Sequence, residues 1–409
     1  MPQQQTQQLP LPPFADLNRL INSPFARLRD LLGATAPGQP PIDMTVGEPR
    51  HGVPALVGPA LAESVAAFGK YPIMKGSPEL LTAIAAWIER RYPALTGAVT
   101  PERHILPLNG SREGLFSAIF PAMARKARPG RAAVLIPNPF YQAYLAGAVC
   151  ADAEPVFLPS DEETGFLPEL DAIPRDTLAR TAAFYLASPA NPQGAVASPA
   201  YLARAVELAR EHDFMLFLDE CYSEIYTASP PAGGLEAAYK LSGDFANVVV
   251  FNSLSKRSNV PGLRSGFLAG DEQFIASYLR FRNVACPQIP LPVQHASALL
   301  WGDETHVEAS RALYAEKFAA ARNVLGRTAG YYEPEGAFFL WLKMSHLGGG
   351  EAAAKTFWKE CGVKVLPGAY LAQAEAGGRN PGTDYVRIAL VDDLTLTQDA
   401  LRRLASLLS

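Results

Sequence analysis

Short apolar segments rich in β-forming residues recur between about residues 52 and 300, and helix-like segments separate them. Strands that are apolar throughout are buried on both faces, so this alternation is typical of a mostly parallel sheet with helices on both sides. The pattern predicts seven strands: His104 to Leu108, Ala132 to Pro137, Pro155 to Leu158, Ala183 to Ala187, Phe214 to Leu218, Val248 to Asn252 and Gly266 to Ala269.

Two of the intervening helices have clear start signals. Ser77-Pro78 and Ser198-Pro199 each combine an N-cap hydroxyl with a proline at the first helical position. After the first of these, apolar side chains recur at helical spacing. They predict one buried face, formed by Leu80, Ile84, Trp87 and Ile88.

The order of elements changes after about residue 300. A long helical segment is predicted from Ala296 toward Arg322, followed by strands at Ala337 to Leu342, Val363 to Leu366 and Tyr385 to Leu390. We therefore predict a large domain over residues 52–300 and a smaller α/β domain over residues 301–409. Residues 15–51, with an edge strand at Pro40 to Val46, are expected to pack with the small domain. The Gln- and Pro-rich residues 1–14 are expected to form a flexible tail.

Composition narrows the class of protein. The 409 residues suffice for two domains, and 48% hydrophobic with 19% charged residues is ordinary for a soluble enzyme. A net charge of −4 predicts no nucleic-acid partner, and no apolar run approaches the roughly 20 residues that span a bilayer. The four cysteines are widely spaced without a CxxC pair, which argues against a metal site and favours a reducing compartment. With no signal-peptide pattern at the N-terminus, the expected location is the cytoplasm.

A lysine motif carries the first chemical signal. Ser253-Leu254-Ser255-Lys256 follows a predicted strand, so Lys256 should emerge at a carboxyl end of the sheet, where α/β folds bind ligands. Eight residues later, Arg264 can form bidentate hydrogen bonds to a phosphate, with the hydroxyls of Ser253 and Ser255 as further donors.

This motif resembles the lysine signature of the class I/II aminotransferases, which are pyridoxal 5'-phosphate (PLP) enzymes of fold type I, and the resemblance covers nearly all of the chain after the tail. It implies that Lys256 carries PLP as a Schiff base. It also implies that Asp219 pairs with the pyridinium nitrogen, and that Tyr222 and Asn191 bond the phenolic oxygen of the cofactor. Asp219 and Tyr222 lie in D-E-C-Y at 219–222 and Asn191 in N-P-Q-G at 191–194.

Further matches complete the expected cofactor site. Gly110, Ser111 and Arg112 lie between a strand and a helix, where backbone N–H groups can bind the phosphate. By resemblance, Tyr141 in P-F-Y stacks on the cofactor ring. Tyr71 occupies the position from which members of the family reach the phosphate of a neighbouring subunit, which implies a homodimer.

The substrate's α-carboxylate needs a bidentate cation, and Arg387 stands where the family keeps one. An arginine inside an apolar strand is costly unless it is paired, which favours a binding role. Gly47 matches the N-terminal element whose backbone contacts the same carboxylate. Lys256, once freed by the substrate amine, would move a proton between the substrate and the cofactor.

Several longer stretches resemble the proteobacterial succinyldiaminopimelate aminotransferases: G-E-P-R-H at 47–51, N-P-F-Y at 138–141, D-E-C-Y-S-E at 219–224, S-L-S-K-R-S-N-V-P-G-L-R-S-G-F at 253–267 and P-V-Q-H-A-S at 292–297. This resemblance implies amino transfer between glutamate and N-succinyl-2-amino-6-oxopimelate, in lysine biosynthesis. Such an acidic substrate needs a second cation near the cofactor. Arg112 is the first candidate, followed by Arg50 and Lys75.

Other functions stay open at the level of the sequence. Aminotransferases of aspartate, aromatic or branched amino acids share the motifs, and the same fold also hosts decarboxylases, carbon–sulfur lyases and acyl-CoA condensing enzymes. A PLP-sensing transcription regulator would need a DNA-binding module, for which the region before Gly47 is too short and too weakly basic.

Overall fold

The computed structural model describes residues 23–125, 127–375 and 377–408. The predicted tail at residues 1–14 lies outside the described residues, as do residues 15–22 of the predicted N-terminal segment. The strands in the described ranges are β1 Ile42–Asp43, β2 Ile105–Leu108, β3 Ala133–Asn138, β4 Glu154–Pro159, β5 Thr181–Ala187, β6 Met215–Asp219, β7 Val248–Ser253, β8 Gly266–Gly270, β9 Phe339–Lys343, β10 Val363–Lys364, β11 Leu366–Pro367 and β12 Tyr385–Ala389.

Seven of these described strands form one sheet in the order β2-β8-β7-β6-β5-β3-β4. Neighbouring strands are parallel except at β8, which is antiparallel to both β2 and β7. Every residue of the central strands β5, β6 and β7 is buried, as expected for a sheet covered on both faces. The predicted α/β fold with a mostly parallel seven-stranded sheet is confirmed.

Helices cover this sheet and the smaller one. The predicted starts at Pro78 and Pro199 are confirmed, and the hydroxyls of Ser77 and Ser198 accept hydrogen bonds from backbone N–H groups of the first turns. The helices are Pro24–Leu32, Val57–Glu63, Pro78–Arg91, Pro101–His104, Ser111–Ser117, Ile119–Met123, Gln142–Cys150, Arg175–Arg180, Pro199–Glu211, Gly234–Ser242, Leu254–Arg257, Glu272–Ala285, Leu291–Gly302, Thr305–Leu325, Gly350–Cys361 and Leu394–Leu408. None of the helices in the described ranges is long and apolar enough to cross a membrane.

The C-terminal half contains a three-stranded antiparallel sheet in the order β11-β12-β9. A separate parallel pair joins β1 to β10, so the N-terminal segment is hydrogen-bonded to a C-terminal strand. The predicted edge strand at Pro40 to Val46 is therefore shorter, since only Ile42–Asp43 pairs. The domain boundaries at residues 52 and 300 stay predictions.

Two expectations for this half are wrong in detail. The predicted helix from Ala296 toward Arg322 is two helices, because the chain leaves helical geometry at Asp303, whose carboxylate accepts hydrogen bonds from the N–H groups of Thr305 and His306. The predicted strand Val363 to Leu366 is likewise divided, since β10 pairs with β1 while β11 pairs with β12.

Candidate active site

Loops after five strands of the large sheet meet at one edge. The strands β3, β5, β6 and β7 pair in parallel, and β2 runs in the same direction because β8 is antiparallel to both β2 and β7. Their carboxyl ends therefore lie together, at the edge where open α/β sheets bind ligands. The residues at or just after these five ends include Gly110, Tyr141, Asn191, Asp219 and Lys256.

A cavity of about 610 Å³ opens at this edge and is lined by residues of both the seven-stranded and the three-stranded sheet. We call it the central cavity. Its volume lies within the range typical of small-molecule sites. It brings together nine residues that the sequence analysis selected: Gly47, Ser111, Arg112, Tyr141, Asn191, Asp219, Tyr222, Lys256 and Arg387.

Lys256 lies in the short helix Leu254–Arg257, which begins directly after β7. Its Nζ donates a hydrogen bond to the carbonyl of Gly47 and lies 5.3 Å from the centre of the Phe338 ring. Burial lowers the pKa of the Lys256 ammonium to about 8. The neutral amine, which attacks carbonyl carbons and accepts protons, is therefore accessible near neutral pH.

Asp219 is the last residue of β6 and is 8% exposed. Its Oδ2 accepts a hydrogen bond of 2.7 Å from the Tyr144 hydroxyl, and its Oδ1 accepts one of 3.2 Å from the backbone N–H of Cys221. Burial raises the pKa of the Asp219 carboxyl, and these hydrogen bonds act in the opposite direction. Asp219 thus presents a hydrogen-bonded carboxyl to the central cavity.

Arg387 lies in β12 and is 5% exposed. Its Nη1 donates to Asn191 Oδ1 at 3.0 Å and its Nη2 donates to the carbonyl of Thr45 at 2.8 Å. Burial lowers the pKa of this guanidinium to about 10, so it stays charged at neutral pH. Within the described ranges its Nε has no hydrogen-bond partner and no carboxylate forms a salt bridge with it. The cavity wall therefore carries a buried positive charge without a counter-charge from the described residues.

Gly110 and Arg264 lie against each other where the helix Ser111–Ser117 begins. Gly110 has a φ of 84°, which favours glycine, and a Cβ there would lie 2.2 Å from Arg264 Nη2. Arg264 donates hydrogen bonds to the carbonyls of Pro261 and Asn109. An arginine beside the free N–H groups of a helix N-terminus can bind a phosphate.

The three candidate cations for a distal acid differ in position. Arg112 lines the central cavity, its Nε donates a hydrogen bond to the Tyr141 hydroxyl, and its side chain is exposed. Arg50 instead forms a salt bridge with Asp392, and neither Arg50 nor Lys75 lines the cavity. Of the three, Arg112 is the one that could contact a ligand held there.

The other predicted site residues lie outside the cavity lining: Gly110, Ser253, Ser255, Arg264 and Tyr71. The Ser253 hydroxyl accepts a hydrogen bond from the N–H of Ser255 and thereby caps the lysine helix. Tyr71 is 98% exposed, so it makes little contact with its own chain.

Tyr144 is a site residue that the sequence analysis missed. It lies in the helix Gln142–Cys150 and is 1% exposed. Its one sequence signal was its place three residues after Tyr141, and a buried tyrosine at helical spacing is more often part of a core. The contact with Asp219 joins residues 75 positions apart, which only the folded chain reveals.

The geometry brings together an amine, a carboxyl and a buried arginine around one cavity, and the chain is similar to known proteins over nearly its whole length. The profile of the family described as "Aminotransferase class I and II" matches residues 39–404. The LL-diaminopimelate aminotransferase of Desulforudis audaxviator is 30% identical over 400 residues, which cover 96% of this chain and 97% of that protein.

Solved structures are similar over the same length. An aminotransferase from Neisseria meningitidis has a TM-score of 0.90 and 37% sequence identity, covering 97% of this chain and 99% of that one. A probable N-succinyldiaminopimelate aminotransferase from Thermus thermophilus has a TM-score of 0.80 and 26% identity, covering 94% of this chain and 100% of that one.

Proposed function

The chain belongs to the class I and II aminotransferase family, and on that premise we propose that it transfers an amino group between glutamate and N-succinyl-2-amino-6-oxopimelate. The observation that carries this proposal is the charge of the central cavity. Arg387 and Arg112 both line it, and no carboxylate in the described part of the chain forms a salt bridge with either. Two such cations suit a substrate with carboxylates at both ends.

The enzymes of this family depend on PLP, and the residues of this chain fit that group. The close contact of Gly110 with Arg264, beside the start of a helix, suits its phosphate. Asp219 is the cavity carboxyl that can hold a proton on its ring nitrogen, and Tyr141 and Tyr222 line the same space. When bound, PLP supplies an electron sink for the negative charge that develops at the substrate's α-carbon.

Each side chain then has a distinct task. Lys256 would hold the cofactor covalently, and its free amine would carry a proton away from the substrate's α-carbon. Its pKa of about 8 suits both tasks, because the amine must be neutral before it can react. Arg387 binds the α-carboxylate and thereby orients the bond to be broken. Asn191, which is hydrogen-bonded to Arg387, contributes to both the cofactor and the substrate site.

The choice of a succinylated substrate rests on the sign of the charges. Free LL-diaminopimelate carries a second ammonium, whereas succinylation removes that positive charge and adds a carboxylate. Asp219 is the one acidic residue among the described residues that line the cavity, and the proposal assigns it to the cofactor. Both substrates have a carboxylate at the distal carbon, so they differ in the distal ammonium, which Arg112 would repel and which no other acidic residue in the described cavity lining could pair with.

The alternative with specific support is LL-diaminopimelate itself, the substrate in the name of a curated relative with 30% identity. Aspartate, aromatic and branched amino acids remain alternatives within the same chemistry, and a lyase of the same fold is a more distant one.

A donor panel tests the proposal. With 2-oxoglutarate as the acceptor, we expect the highest kcat/KM with N-succinyl-LL-diaminopimelate, compared with LL-diaminopimelate, aspartate, phenylalanine and leucine. A higher value with unmodified LL-diaminopimelate would replace the proposed substrate by the alternative. No transfer from any donor, with release of ammonia or carbon dioxide instead, would point to a lyase or decarboxylase.

We also propose that the active unit is a homodimer. Tyr71 and its neighbours expose apolar surface that a second copy could cover, with 63% of Val53, 60% of Val65, 57% of Phe68 and 54% of Ile73 exposed. In such a dimer Tyr71 would reach the phosphate held by the partner.

Subunit complementation tests this arrangement. Lys256→Ala and Tyr71→Ala proteins, unfolded and refolded together, should form mixed dimers in which one site has both native residues. We expect more activity than in the two proteins refolded separately. Light scattering that shows a monomer, or no gain on mixing, would contradict the dimer proposal.

A further inference from the structure

The carboxyl of Asp219 has two fixed hydrogen-bond donors, and one of them is the buried hydroxyl of Tyr144. The Tyr144 hydroxyl lies 2.7 Å from Asp219 Oδ2, while the Cys221 N–H occupies Oδ1 at 3.2 Å. An ionised carboxylate offers about four acceptor positions, so it can accept both bonds and still bind a cationic group in the cavity.

Neighbouring rings determine the position of the Tyr144 hydroxyl. Its ring is stacked on that of Tyr185, with centroids 4.7 Å apart and planes 9° from parallel. Tyr185 is also fully buried, and its own hydroxyl donates to the carbonyl of Leu115 at 2.7 Å. The two tyrosines thus share one environment, but only Tyr144 contacts Asp219.

We propose that Tyr144 is a positioning residue that keeps Asp219 ionised and directed at the ring nitrogen of the cofactor. This inference rests on the proposed function, because it takes Asp219 as the partner of that nitrogen. Burial by itself favours the protonated carboxyl, and a protonated Asp219 could not retain a proton on the ring. A hydrogen bond to a charged acceptor opposes this effect, since it is roughly twice as strong as one to a neutral acceptor.

The test compares Tyr144→Phe with Tyr185→Phe, which removes a hydroxyl of equal burial from the same ring stack. In the holoenzyme without substrate, the pH midpoint of the visible absorbance change reports the proton affinity of the nitrogen that links Lys256 to the cofactor. A cationic ring lowers this affinity. Tyr144→Phe should therefore raise the midpoint by about half a pH unit or more, and Tyr185→Phe should leave it unchanged.

Kinetics and a cofactor analogue provide independent readouts. With glutamate as donor, kcat should fall about tenfold or more in Tyr144→Phe, while KM changes by less than about threefold. PLP methylated at the ring nitrogen carries a permanent positive charge and needs no proton from its surroundings. Reconstitution of both apo-proteins with this analogue should abolish the difference between Tyr144→Phe and wild type.

The controls separate this inference from the proposal on which it rests. If Asp219→Ala leaves the absorbance midpoint unchanged, the role of Asp219 fails. If Asp219→Ala moves the midpoint but Tyr144→Phe does not, the role of Tyr144 alone is overturned. Tyr144→Phe and Tyr185→Phe could instead lose kcat and melting temperature equally, and both could keep the loss of kcat with the methylated cofactor. This result would also overturn the role of Tyr144, because it would show that the residue acts only through structure.

Discussion

Two buried arginines in different regions of this protein have opposite surroundings. Arg282, 1% exposed, forms a salt bridge with Glu113 and also donates to the carbonyls of Pro107 and Pro287. Arg387, 5% exposed, has two neutral acceptors, and among the described residues no carboxylate pairs with it and its Nε has no partner.

The difference distinguishes a charge that stabilises the fold from a charge that is available to bind a ligand. Around Arg282 the chain supplies the counter-charge itself, so the guanidinium holds the helix Glu272–Ala285 against the helix Ser111–Ser117. Around Arg387 the described residues supply no negative charge, and a substrate carboxylate can provide one. Changes in the first region should lower stability, whereas changes in the second should lower activity.

The largest expected effect is in the central cavity. Lys256→Ala should still bind PLP through its phosphate but lose turnover by several orders of magnitude, because both the covalent link and the proton carrier are removed. The melting temperature of the apo-protein should change little. Single-turnover absorbance measurements would show the loss.

Lys317 provides a matched control for this lysine. It is 2% exposed and burial lowers its pKa to about 8, as for Lys256, but it contacts His51 and does not line the cavity. Borohydride should fix the cofactor onto Lys256 in Lys317→Met as in wild type. Labelling of any lysine other than Lys256 would contradict the assignment of Lys256 as the lysine that binds the cofactor.

Breaking the buried salt bridge between Arg282 and Glu113 should lower the stability of the protein. Glu113→Gln leaves the buried charge of Arg282 without its counter-charge, which should lower the free energy of unfolding by about 3–5 kcal/mol. Chemical denaturation of the apo-protein measures this change. A loss under about 1 kcal/mol, the size of a surface pair, would show that the two regions do not differ as described.

Substitution of Arg387 should lower the activity of the enzyme. Arg387→Ala should reduce kcat/KM by about thirtyfold or more for every amino donor, since truncating one partner of a buried charge pair costs about 2–5 kcal/mol of binding. Arg387→Lys keeps the charge but not the bidentate geometry, so it should recover only part of the loss. Unchanged kcat/KM in Arg387→Ala would remove the distinction between the two arginines.

The smallest expected effect concerns Arg112, which is exposed at the cavity. Arg112→Ala removes a charge-assisted hydrogen bond of about 1.5–3 kcal/mol, so kcat/KM should fall about tenfold or more for donors with a distal carboxylate. Donors with neutral side chains should be barely affected. An equal loss for both groups would mean that Arg112 acts through cofactor binding or structure.

The sequence was most informative where one short stretch contains the whole signal. The large-sheet strands were predicted to within two residues at each end, because a strand buried on both faces has to be apolar throughout. The break at Asp303 was missed although Gly302-Asp303 is a local signal for a helix end and Asp303 caps the next helix. The two helices also pack against different partners: Trp301 contacts Trp87 and Phe267 beside the large sheet, whereas Thr305–Leu325 contacts the C-terminal helix.

The sequence by itself determined the alternation of strands and helices, the lysine motif and the residue types of a PLP site, since local pattern and chemistry are encoded in neighbouring residues. Tertiary structure alone decided that Arg50 is neutralised by Asp392, 342 positions away, that Arg112 lines the cavity, and that Tyr144 donates to Asp219. Such contacts depend on distances between residues far apart in the chain, and burial then sets whether a charge is satisfied within the fold or left for a ligand.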